Sequence, residues 1–452
     1  MSMLILKDVR CFRGEHEAPL APITILVGEN SAGKSTLLAL ARVAWDIAFG
    51  TVAVNFNEDP FQLGAYDELA HYHGGRGKRA TNFSVGISDR LLPSPRAARA
   101  SGTDQDTPVI ASIVGTFTAA AGQPTLSGVN VESGPWRLDV RPEDDHLKVH
   151  ISTPSGEFEL SAGSEYYPYP QLSGRHLAMF LEYEVFRGHG RRGGAEGSLP
   201  SENERTVLLN MLSGLRQHPG AARGRYFSRR PLAIAPIRSR PKRTYDPLSE
   251  IRSPEGEHVP MLLARLNTAD LARWERLAEG LSVYGKSSGL FDQVVVRRFA
   301  GSESAPFQLR VKLAGQKKEV NLVDVGYGIS QVLPILVDAL MEPNGGLFLM
   351  QQPEVHLHPR AQAELGTFIV NIARQRGSRF LVETHSDYLV DRIRLEVKNK
   401  VIKPDAVSIL FFERCGSQAK IHRIGLDAAG NIIGQPDTYR QFFLDEELRI
   451  IS

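Results

Sequence analysis

The sequence predicts an α/β fold: a mixed sheet flanked by helices and interrupted by a helical and irregular insertion. Three runs of residues carry this prediction. The β-branched and apolar run Ile23–Val27 leads into a glycine-rich loop and then into residues with helical spacing. The apolar runs Leu347–Met350 and Phe380–Val382 each stop abruptly at polar residues, as buried parallel strands do at the edge of a sheet.

Composition limits the class of protein. A chain of 452 residues is expected to form more than one domain, at about 150 residues each. The net charge of +2 does not indicate a nucleic-acid partner for the chain as a whole, so any such contact would be local. Cys11 and Cys415 make neither a metal-binding spacing nor a disulfide framework. With no signal peptide and no apolar run of about 20 residues, we expect a cytoplasmic protein without a membrane role.

The glycine-rich loop after the first of these strands is the strongest signal in the chain. Residues 28–35, GENSAGKS, match the Gly-x4-Gly-Lys-Ser pattern in full. Its glycines let the loop turn N–H groups toward phosphate oxygens, and the helix N-terminus adds positive potential. We therefore expect Lys34 to pair with the β- and γ-phosphates of ATP and Ser35 to ligate Mg²⁺. A chance glycine-rich turn is disfavoured because strand, loop and helix occur in order. The predicted nucleotide-binding residues here are Gly28, Asn30, Ser31, Ala32, Gly33, Lys34, Ser35 and Thr36.

A second anion-binding helix end is predicted much later in the chain. In NLVDVGYGISQVLPILVDAL, the residues Gly326, Gly328, Ser330 and Gln331 lie at the start of a predicted helix, Ser330–Leu340. Two phosphate-seeking helix ends, widely separated in sequence, suggest that two copies of the chain face each other. The alternative is a plain glycine turn.

Together these segments resemble the soluble ATP-binding-cassette (ABC) ATPases that include the OLD, RecF and SMC-type heads. The resemblance is at the level of motifs and covers about residues 1–75 and 290–452. DVGYGISQVLPIL takes the signature position, MQQPEVHLHPRAQAEL takes Walker B and the D-loop, and VETHSDYLV takes the switch region. The resemblance implies that the signature caps the γ-phosphate of the opposite subunit, that His385 touches that phosphate, and that His358 connects the two subunits. Gln62 is a weak candidate for the Q-loop, and His356 with His358 could instead form a metal pair.

The Walker B segment departs from this family. Gln351 falls where the family has the Mg²⁺ carboxylate, and Gln352 falls at the catalytic glutamate, a position where the family also uses amides. An amide brings no negative charge and cannot take a proton, and losing a positioned base costs about 10²–10⁴ in rate. Glu354 and Glu383 are nearby carboxylates that could substitute in part. We therefore predict ATP binding with impaired hydrolysis; the sequence does not distinguish a natural amide from an introduced one.

Residues between the ATPase segments give weaker signals. The predicted organisation is an ATPase lobe at 1–95, an inserted lobe at 96–290, a second ATPase lobe at 291–400 and a C-terminal extension at 401–452. Amphipathic helices are predicted within 207–220 and 261–281, and a mobile polar loop within 186–205. Residues 223–243 contain eight basic residues and no acidic one, typical either of a nucleic-acid or acidic-protein contact or of a solvated face. The candidate contacts are Arg238, Arg240, Lys242 and Arg243.

These observations predict an ATPase that dimerises on ATP, or forms a higher oligomer, and regulates a separate effector in anti-phage defence. A TOPRIM or HNH nuclease is the expected effector, because no acidic cluster after Glu413 indicates an appended nuclease. Two alternatives stay open: a RecF-like repair ATPase that binds DNA directly, and a scaffold that binds ATP for assembly and scarcely hydrolyses it. A transporter ATPase is disfavoured because the signature and coupling region do not resemble one.

Overall fold

The protein is described by a computed structural model that covers residues 2–50, 53–75, 78–91, 109–143, 146–163, 196–197, 200–208, 229–246, 252–300 and 305–439. The chain forms two compact units. The first unit consists of Met1–Ala21, Gly28–Pro231 and Phe411–Arg423. The second consists of Pro22–Val27, Leu232–Leu410 and Ile424–Ser452.

An antiparallel sheet forms the framework of the first unit. Its strands lie in the order β10-β9-β8-β7-β6-β5-β4-β1-β2. They are β1 (Ser2–Val9), β2 (Phe12–Leu20), β4 (Phe83–Leu91), β5 (Val109–Ala120), β6 (Gln123–Ser133), β7 (Trp136–Glu143), β8 (His146–Thr153), β9 (Gly156–Gly163) and β10 (Glu196–Gly197). Among the described elements beside the sheet are α1 (Lys34–Phe49) and α2 (Tyr66–Leu69). Helix α1 is almost wholly buried and packs against β4 and β5, where glycine at 115 leaves room for the Ile47 side chain.

The inserted lobe differs from the helical and irregular segment that we expected at its start. Residues 109–163 form β5 to β9, a meander that continues the sheet of β1 and β4. In β8 alternate residues are buried, which is the pattern of a strand with one solvated face. The predicted helix within 207–220 lies almost entirely outside the described residues, as does most of the predicted loop within 186–205.

Parallel strands form the centre of the second unit. The sheet order is β11-β15-β16-β3-β17-β18-β19, and β11, β15, β16 and β3 are parallel neighbours. The strands of this sheet are β3 (Ile23–Gly28), β11 (Leu232–Ile234), β15 (Leu347–Gln351), β16 (Arg379–Glu383), β17 (Val407–Cys415), β18 (Gln418–Leu426) and β19 (Ile432–Ile433). The parts of β17 and β18 within Phe411–Arg423 belong to the first unit. The switch strand β16 therefore lies between the Walker B strand β15 and β3, the strand from which the chain enters the P-loop. The carboxyl ends of all four parallel strands lie at one edge of this sheet.

Five helices and a small sheet complete the second unit's described elements. The helices are α3 (Val259–Ala269), α4 (Leu271–Ser288), α5 (Tyr327–Met341), α6 (Pro359–Arg376) and α7 (Asp387–Lys398). A three-stranded antiparallel sheet contains β12 (Gln293–Arg298), β13 (Phe307–Lys312) and β14 (Glu319–Asn321). The helix predicted within 261–281 is two helices, because the Asp270 carboxylate accepts a hydrogen bond from the Arg273 N–H and caps a new helix there. In the described part of the chain, no helix has the length and apolarity needed to cross a bilayer.

Candidate functional site

The P-loop backbone depends on two glycines in left-handed conformations. Gly28 has φ 125° and Gly33 has φ 99°. A Cβ on Gly28 would lie 2.2 Å from the carbonyl oxygen of Phe412, and a Cβ on Gly33 would lie 2.6 Å from Cys11 Sγ. The adjacent Glu29 N–H donates to the same Phe412 oxygen at 3.3 Å. The loop is thus held against its surroundings at distances that only glycine permits.

Lys34 lies within its own loop. Its Nζ donates to the carbonyl oxygens of Gly28 at 2.9 Å and Glu29 at 2.6 Å, and the residue is only 3% exposed. Ser35 is exposed, and the first turn of α1 contains no acidic residue, so the positive end of the helix dipole is not offset there. The Lys34 ammonium is therefore held by carbonyl oxygens of its own loop, beside a helix N-terminus whose first turn has no acidic residue.

The signature segment begins α5, three residues earlier than predicted. Gly326 is the exposed residue that precedes the helix, and Gly328 is half-buried in its first turn. Ser330 is 6% exposed, and its hydroxyl donates to the carbonyl of Tyr327 at 2.9 Å. Gln331 is 3% exposed, and its amide bonds to the backbone of Arg238. Of the four predicted contacts, only the glycines are thus accessible to a nucleotide in this structure.

The Walker B strand ends in a strained turn. Gln351 is the last residue of β15 and is the parallel partner of Glu383 in β16. Gln352 follows with φ 42°, and its N–H donates to the Glu383 carbonyl at 2.8 Å. A non-glycine residue at positive φ costs of order 1–3 kcal/mol and is found most often at functional sites. Both glutamine side chains are half-buried at the edge where the parallel strands end.

The D-loop connects this turn to α6. His358 is exposed and caps the helix, because its imidazole nitrogen accepts from the Arg360 N–H at 3.4 Å. His356 has φ 68°, and its ring centroid lies 6.0 Å from that of Tyr327 in the signature segment. A Cβ on Gly328 would lie 3.0 Å from the His356 carbonyl oxygen. Signature and D-loop therefore form one continuous surface within the second unit. Among the described residues, no group of three or more His, Cys, Asp or Glu side chains is placed to hold a metal.

Glu354 is a buried carboxylate that contacts the switch segment. Its Oε1 accepts from the His385 N–H at 2.9 Å, and the residue is 7% exposed. Burial raises the pKa of the Glu354 carboxyl, against the lowering effect of the His385 hydrogen bond. The His385 side chain is exposed at the end of β16, and Ser386 caps α7. Glu383 is buried beside Gln351, so both remaining carboxylates lie close to the predicted catalytic positions.

Arg238 does not belong to a basic surface. We predicted it as a nucleic-acid or partner contact, but it is 2% exposed, and its guanidinium donates to the carbonyls of Ala235 at 3.3 Å and Pro353 at 3.4 Å. Burial lowers its pKa to about 10, against the field of Glu354. Arg230 is also engaged, in ion pairs with Asp46 and Glu58 of the first unit. Both arginines are therefore engaged within their own units and are not free to form a basic surface.

A separate group of basic residues lies on one side of the three-stranded sheet. In β13, Phe307, Leu309 and Val311 are buried, whereas Gln308, Arg310 and Lys312 alternate with them and are half-buried. Arg297 lies opposite Gln308 on β12. A cleft of about 470 Å³ is lined by four basic residues and one acidic residue, together with a glutamine: Arg297, Gln308, Arg310, Lys317, Lys318 and Glu319. We call Arg297, Arg310, Lys312, Lys317 and Lys318 the basic face. Sequence reasoning missed it, although alternation of charged and apolar residues in β13 is a usable signal.

One part of the predicted basic stripe lies beside this face. Backbone hydrogen bonds join Tyr245 and Phe307 in both directions, at 2.9 and 3.0 Å. The Asn321 amide donates to the Arg243 carbonyl at 2.9 Å, and the Arg243 side chain is paired with Asp324. Residues 240–243, with exposed Arg240, Lys242 and Arg243, are thereby anchored next to β13 and β14. The part of the stripe at 223–228 lies outside the described residues.

Comparison with known proteins gives a partial family match. The model of a family described as "AAA domain, putative AbiEii toxin, Type IV TA system" matches residues 211–391, less than half of the 452-residue chain. That range includes the signature, Walker B, D-loop and switch segments but not the P-loop. No curated protein matches the chain at a significant level.

Solved structures of SMC heads are similar at low sequence identity. An SMC head bound to the C-terminal winged-helix domain of ScpA is 12% identical, covers 94% of this chain and 98% of its own, and has a TM-score of 0.46. Another similar structure is a Pyrococcus furiosus SMC head with an extended coiled coil, bound to the C-terminal domain of ScpA. It is 10% identical, covers 99% of this chain and 100% of its own, and has a TM-score of 0.40. The Thermotoga maritima SMC head domain is 10% identical, covers 93% of this chain and 97% of its own, and has a TM-score of 0.34.

The class of protein follows from the fold and the loop. The chain contains a strand, a P-loop with two left-handed glycines and a buried helix, in that order. It also contains the parallel Walker B and switch strands. The fold is a mixed α/β architecture that contains the strand, loop and helix of a P-loop, as predicted.

The close approach at Gly28 gives a test of the P-loop geometry. We expect Gly28→Ala to lower the free energy of unfolding more than Gly134→Ala does. Both glycines have positive φ, but a Cβ at 134 meets nothing within 4 Å, whereas one at 28 would overlap a backbone oxygen. Strain alone costs about 1–3 kcal/mol, and the overlap adds to it at Gly28. Urea unfolding measures both variants, and equal losses would contradict the described loop.

Proposed function

We propose that the chain binds ATP and Mg²⁺ at the P-loop, hydrolyses ATP slowly, and uses the nucleotide state to control its assembly. The observation that carries this proposal is the P-loop itself: two left-handed glycines, an unopposed helix N-terminus and Lys34 beside the loop carbonyls. Lys34 would exchange those carbonyls for the β- and γ-phosphates. Such an exchange replaces two neutral acceptors by charged ones, which make stronger hydrogen bonds.

The residues present fit Mg²⁺ in part. Mg²⁺ prefers oxygen ligands and takes several of them from substrate phosphates and water. The exposed Ser35 hydroxyl fits this requirement, whereas Gln351 offers only a neutral amide oxygen. When bound, the ion neutralises charge on the phosphates. Ser35 would hold it, and Gln351 would contribute orientation through water without contributing charge.

The neighbour of Gln351 explains what an amide does at this position. Gln351 and the buried Glu383 are partners on adjacent parallel strands, so their side chains lie on the same face of the sheet. A carboxylate at 351 would place two like charges side by side, which is destabilising unless a cation separates them. The amide removes that repulsion and also removes a proton acceptor. This favours stable ATP binding with slow turnover, and leaves Gln352 and His385 to orient water and phosphate.

Restoring the carboxylate tests the proposed role of Gln351. We expect Gln351→Glu to raise the ATPase rate by about 10²–10⁴-fold in Mg²⁺, because a carboxylate that can orient a metal-bound water or take its proton is regained. ATP affinity should change less, since Lys34 and the loop amides are untouched. Without Mg²⁺ the same variant should melt at a lower temperature than the parent, through repulsion with Glu383.

The matched control is Gln351→Met, which keeps the side chain neutral and should not raise the rate. A Gln351→Glu protein that hydrolyses ATP no faster than the parent would show that position 351 is not catalytic. Glu354 and Glu383 would then become the residues to substitute.

We further propose that two chains close head to tail on ATP, with Gly326 and Gly328 against the nucleotide of the other chain. The exposure of Gly326, the helix N-terminus behind it and the continuous signature and D-loop surface support this proposal. His358, exposed on that surface, would contact the other chain. Assemblies larger than a dimer, through the inserted lobe, are compatible with it.

Gly326 offers a clean probe of that dimer. Its φ is −59°, and a Cβ there would meet nothing within 4 Å, so the monomer should tolerate a side chain. We expect Gly326→Ala to dimerise with ATP as the parent does, and Gly326→Arg to stay monomeric by analytical ultracentrifugation. Lys34→Ala should neither bind ATP nor dimerise. ATP-dependent dimers of Gly326→Arg as strong as those of the parent would rule out this arrangement.

The partner is proposed from the matched family's description, which names a toxin–antitoxin system. We infer that the ATP-bound assembly acts on a separate effector, a TOPRIM or HNH nuclease, in anti-phage defence in the cytoplasm. Co-expression with a nuclease from a neighbouring gene tests this inference. Retention of that nuclease with ATP, and its loss in Lys34→Ala, would support it; equal retention or equal absence in both proteins would contradict it.

A second candidate function, binding of a polynucleotide backbone, is favoured by the basic face. The Arg297 guanidinium holds the pKa of the Glu319 carboxyl below its usual range, so this acid stays ionised and paired. Lys317 and Lys318 are exposed beside it, and residues 240–243 add further positive charge. Neutralising phosphates with several cations releases counterions and makes binding steeply salt-dependent.

The double substitution Lys317→Gln/Lys318→Gln tests this second function. We expect weaker binding to a fluorescent duplex or single-stranded oligonucleotide, and a slope of log affinity against log salt that is shallower by about 2. ATP binding should be unchanged. The control Lys398→Gln/Lys403→Gln removes two exposed lysines from another part of the chain. If both double variants bind DNA with the parent's affinity and slope, the basic face is a solvated surface.

A further inference from the structure

Gln331 connects the signature helix to Arg238 through the backbone. Its Oε1 accepts from the Arg238 N–H at 3.1 Å, and its Nε2 donates to the Arg238 carbonyl at 3.3 Å. This is the two-bond pattern that one β-strand residue makes with another, formed here by a side chain. Because Gln331 lies in the first turns of α5, the start of the signature helix is fixed to the segment that follows β11.

The Arg238 side chain continues this connection to the Walker B turn. Its guanidinium donates to the Pro353 carbonyl. The next residue, Glu354, acts on the arginine through its negative charge. Glu354 in turn accepts from the His385 N–H in the switch segment. Three sequence-distant segments are therefore joined by buried side chains, from α5 through Arg238 and Glu354 to the switch.

Arg238 and Glu354 do not form a hydrogen-bonded ion pair of the kind that stabilises a fold. Arg238 Nε and Glu354 Oε2 are buried, and neither has a hydrogen-bond partner among the described residues. The hydrogen bonds of the guanidinium, at 3.3 and 3.4 Å, go to neutral carbonyls. Burying ions without such pairing weakens a fold, and apolar replacements of buried ion pairs are often neutral or stabilising. Stability alone gives no reason for these two residues.

We propose that Arg238 and Glu354 are positioning residues that couple the switch segment to the first turns of the signature helix. A nucleotide that contacts His385 would then also order Gly326–Gln331. This inference rests on the proposed ATP function. It assigns Arg238 to communication between two parts of the second unit. The unpaired Nε and Oε2 atoms provide a second arrangement, because a small shift that brings them together would satisfy both.

Hydrogen exchange measured by mass spectrometry tests the coupling. The measurements use the full chain carrying Gly326→Arg, which excludes dimer contacts, with and without Mg²⁺ and ATP. In that background we expect ATP to slow exchange at least about 5-fold both in the switch segment and in the first turns of α5, the lower end of usual allosteric couplings. Adding Arg238→Met/Glu354→Gln should preserve the slowing in the switch segment and abolish it in α5.

Controls separate positioning from folding. Arg276→Met, on an exposed face of α4, should leave both segments as in the background protein. The melting temperature of the Arg238→Met/Glu354→Gln protein should lie at or above that of the background, which a purely structural role would not give. If this protein does not fold, Gln331→Met removes only the link to α5 and should give the same selective loss.

The possible failures are distinguishable. Protection of α5 that persists in Arg238→Met/Glu354→Gln, or in Gln331→Met, would overturn the coupling while leaving ATP binding intact. Absence of any ATP effect in the background protein, matched by calorimetry showing that it binds no ATP, would instead overturn the proposed function on which the coupling rests. Protection of the switch segment without protection of α5 in the background protein would also overturn the coupling.

Discussion

The parallel pairing of β15, β16 and β3 is the constraint on which the chemistry of the second unit depends. Parallel strands bring their carboxyl ends to one edge, so the Walker B turn and the switch segment emerge there together, and β3 leaves the same edge toward the P-loop. The register also fixes which side chains are neighbours. It makes Gln351 the partner of Glu383 and lets the Gln352 N–H bond to the Glu383 carbonyl. A one-residue slip would turn these side chains to the opposite face of the sheet.

That register explains the physical effect of an amide at position 351. A carboxylate at 351 would need a cation to offset Glu383, whereas an amide leaves the edge stable without one. The same substitution removes a proton acceptor from the edge. The remaining buried acid, Glu354, has one oxygen committed to the His385 N–H and lies against Arg238. This arrangement supports the proposal that the edge senses a bound nucleotide more than it promotes rapid hydrolysis.

Local sequence patterns predicted the elements of this edge well. The P-loop motif, the apolar runs before Gln351 and Glu383, and the helix after Gly326 all occur close to their predicted bounds, because each depends on short-range periodicity and turn chemistry. The strands β5 to β9 were not predicted, although buried and exposed residues alternate with period two in β8. Arg238 could not have been placed from the sequence. It lies in a run of basic residues, and its burial is decided by Gln331 and Pro353, which are 93 and 115 residues away.

Slow hydrolysis would leave intact ATP on the protein, so the nucleotide that the protein retains is the direct test of the proposed function. The protein would be incubated with Mg²⁺ and ATP, separated rapidly from free nucleotide, and its bound nucleotide identified by chromatography alongside steady-state turnover. We expect mostly intact ATP and turnover well below about 1 s⁻¹, the lower end of usual enzyme rates. Bound ADP with sustained turnover inside the usual range, or no bound nucleotide at all, would contradict this account.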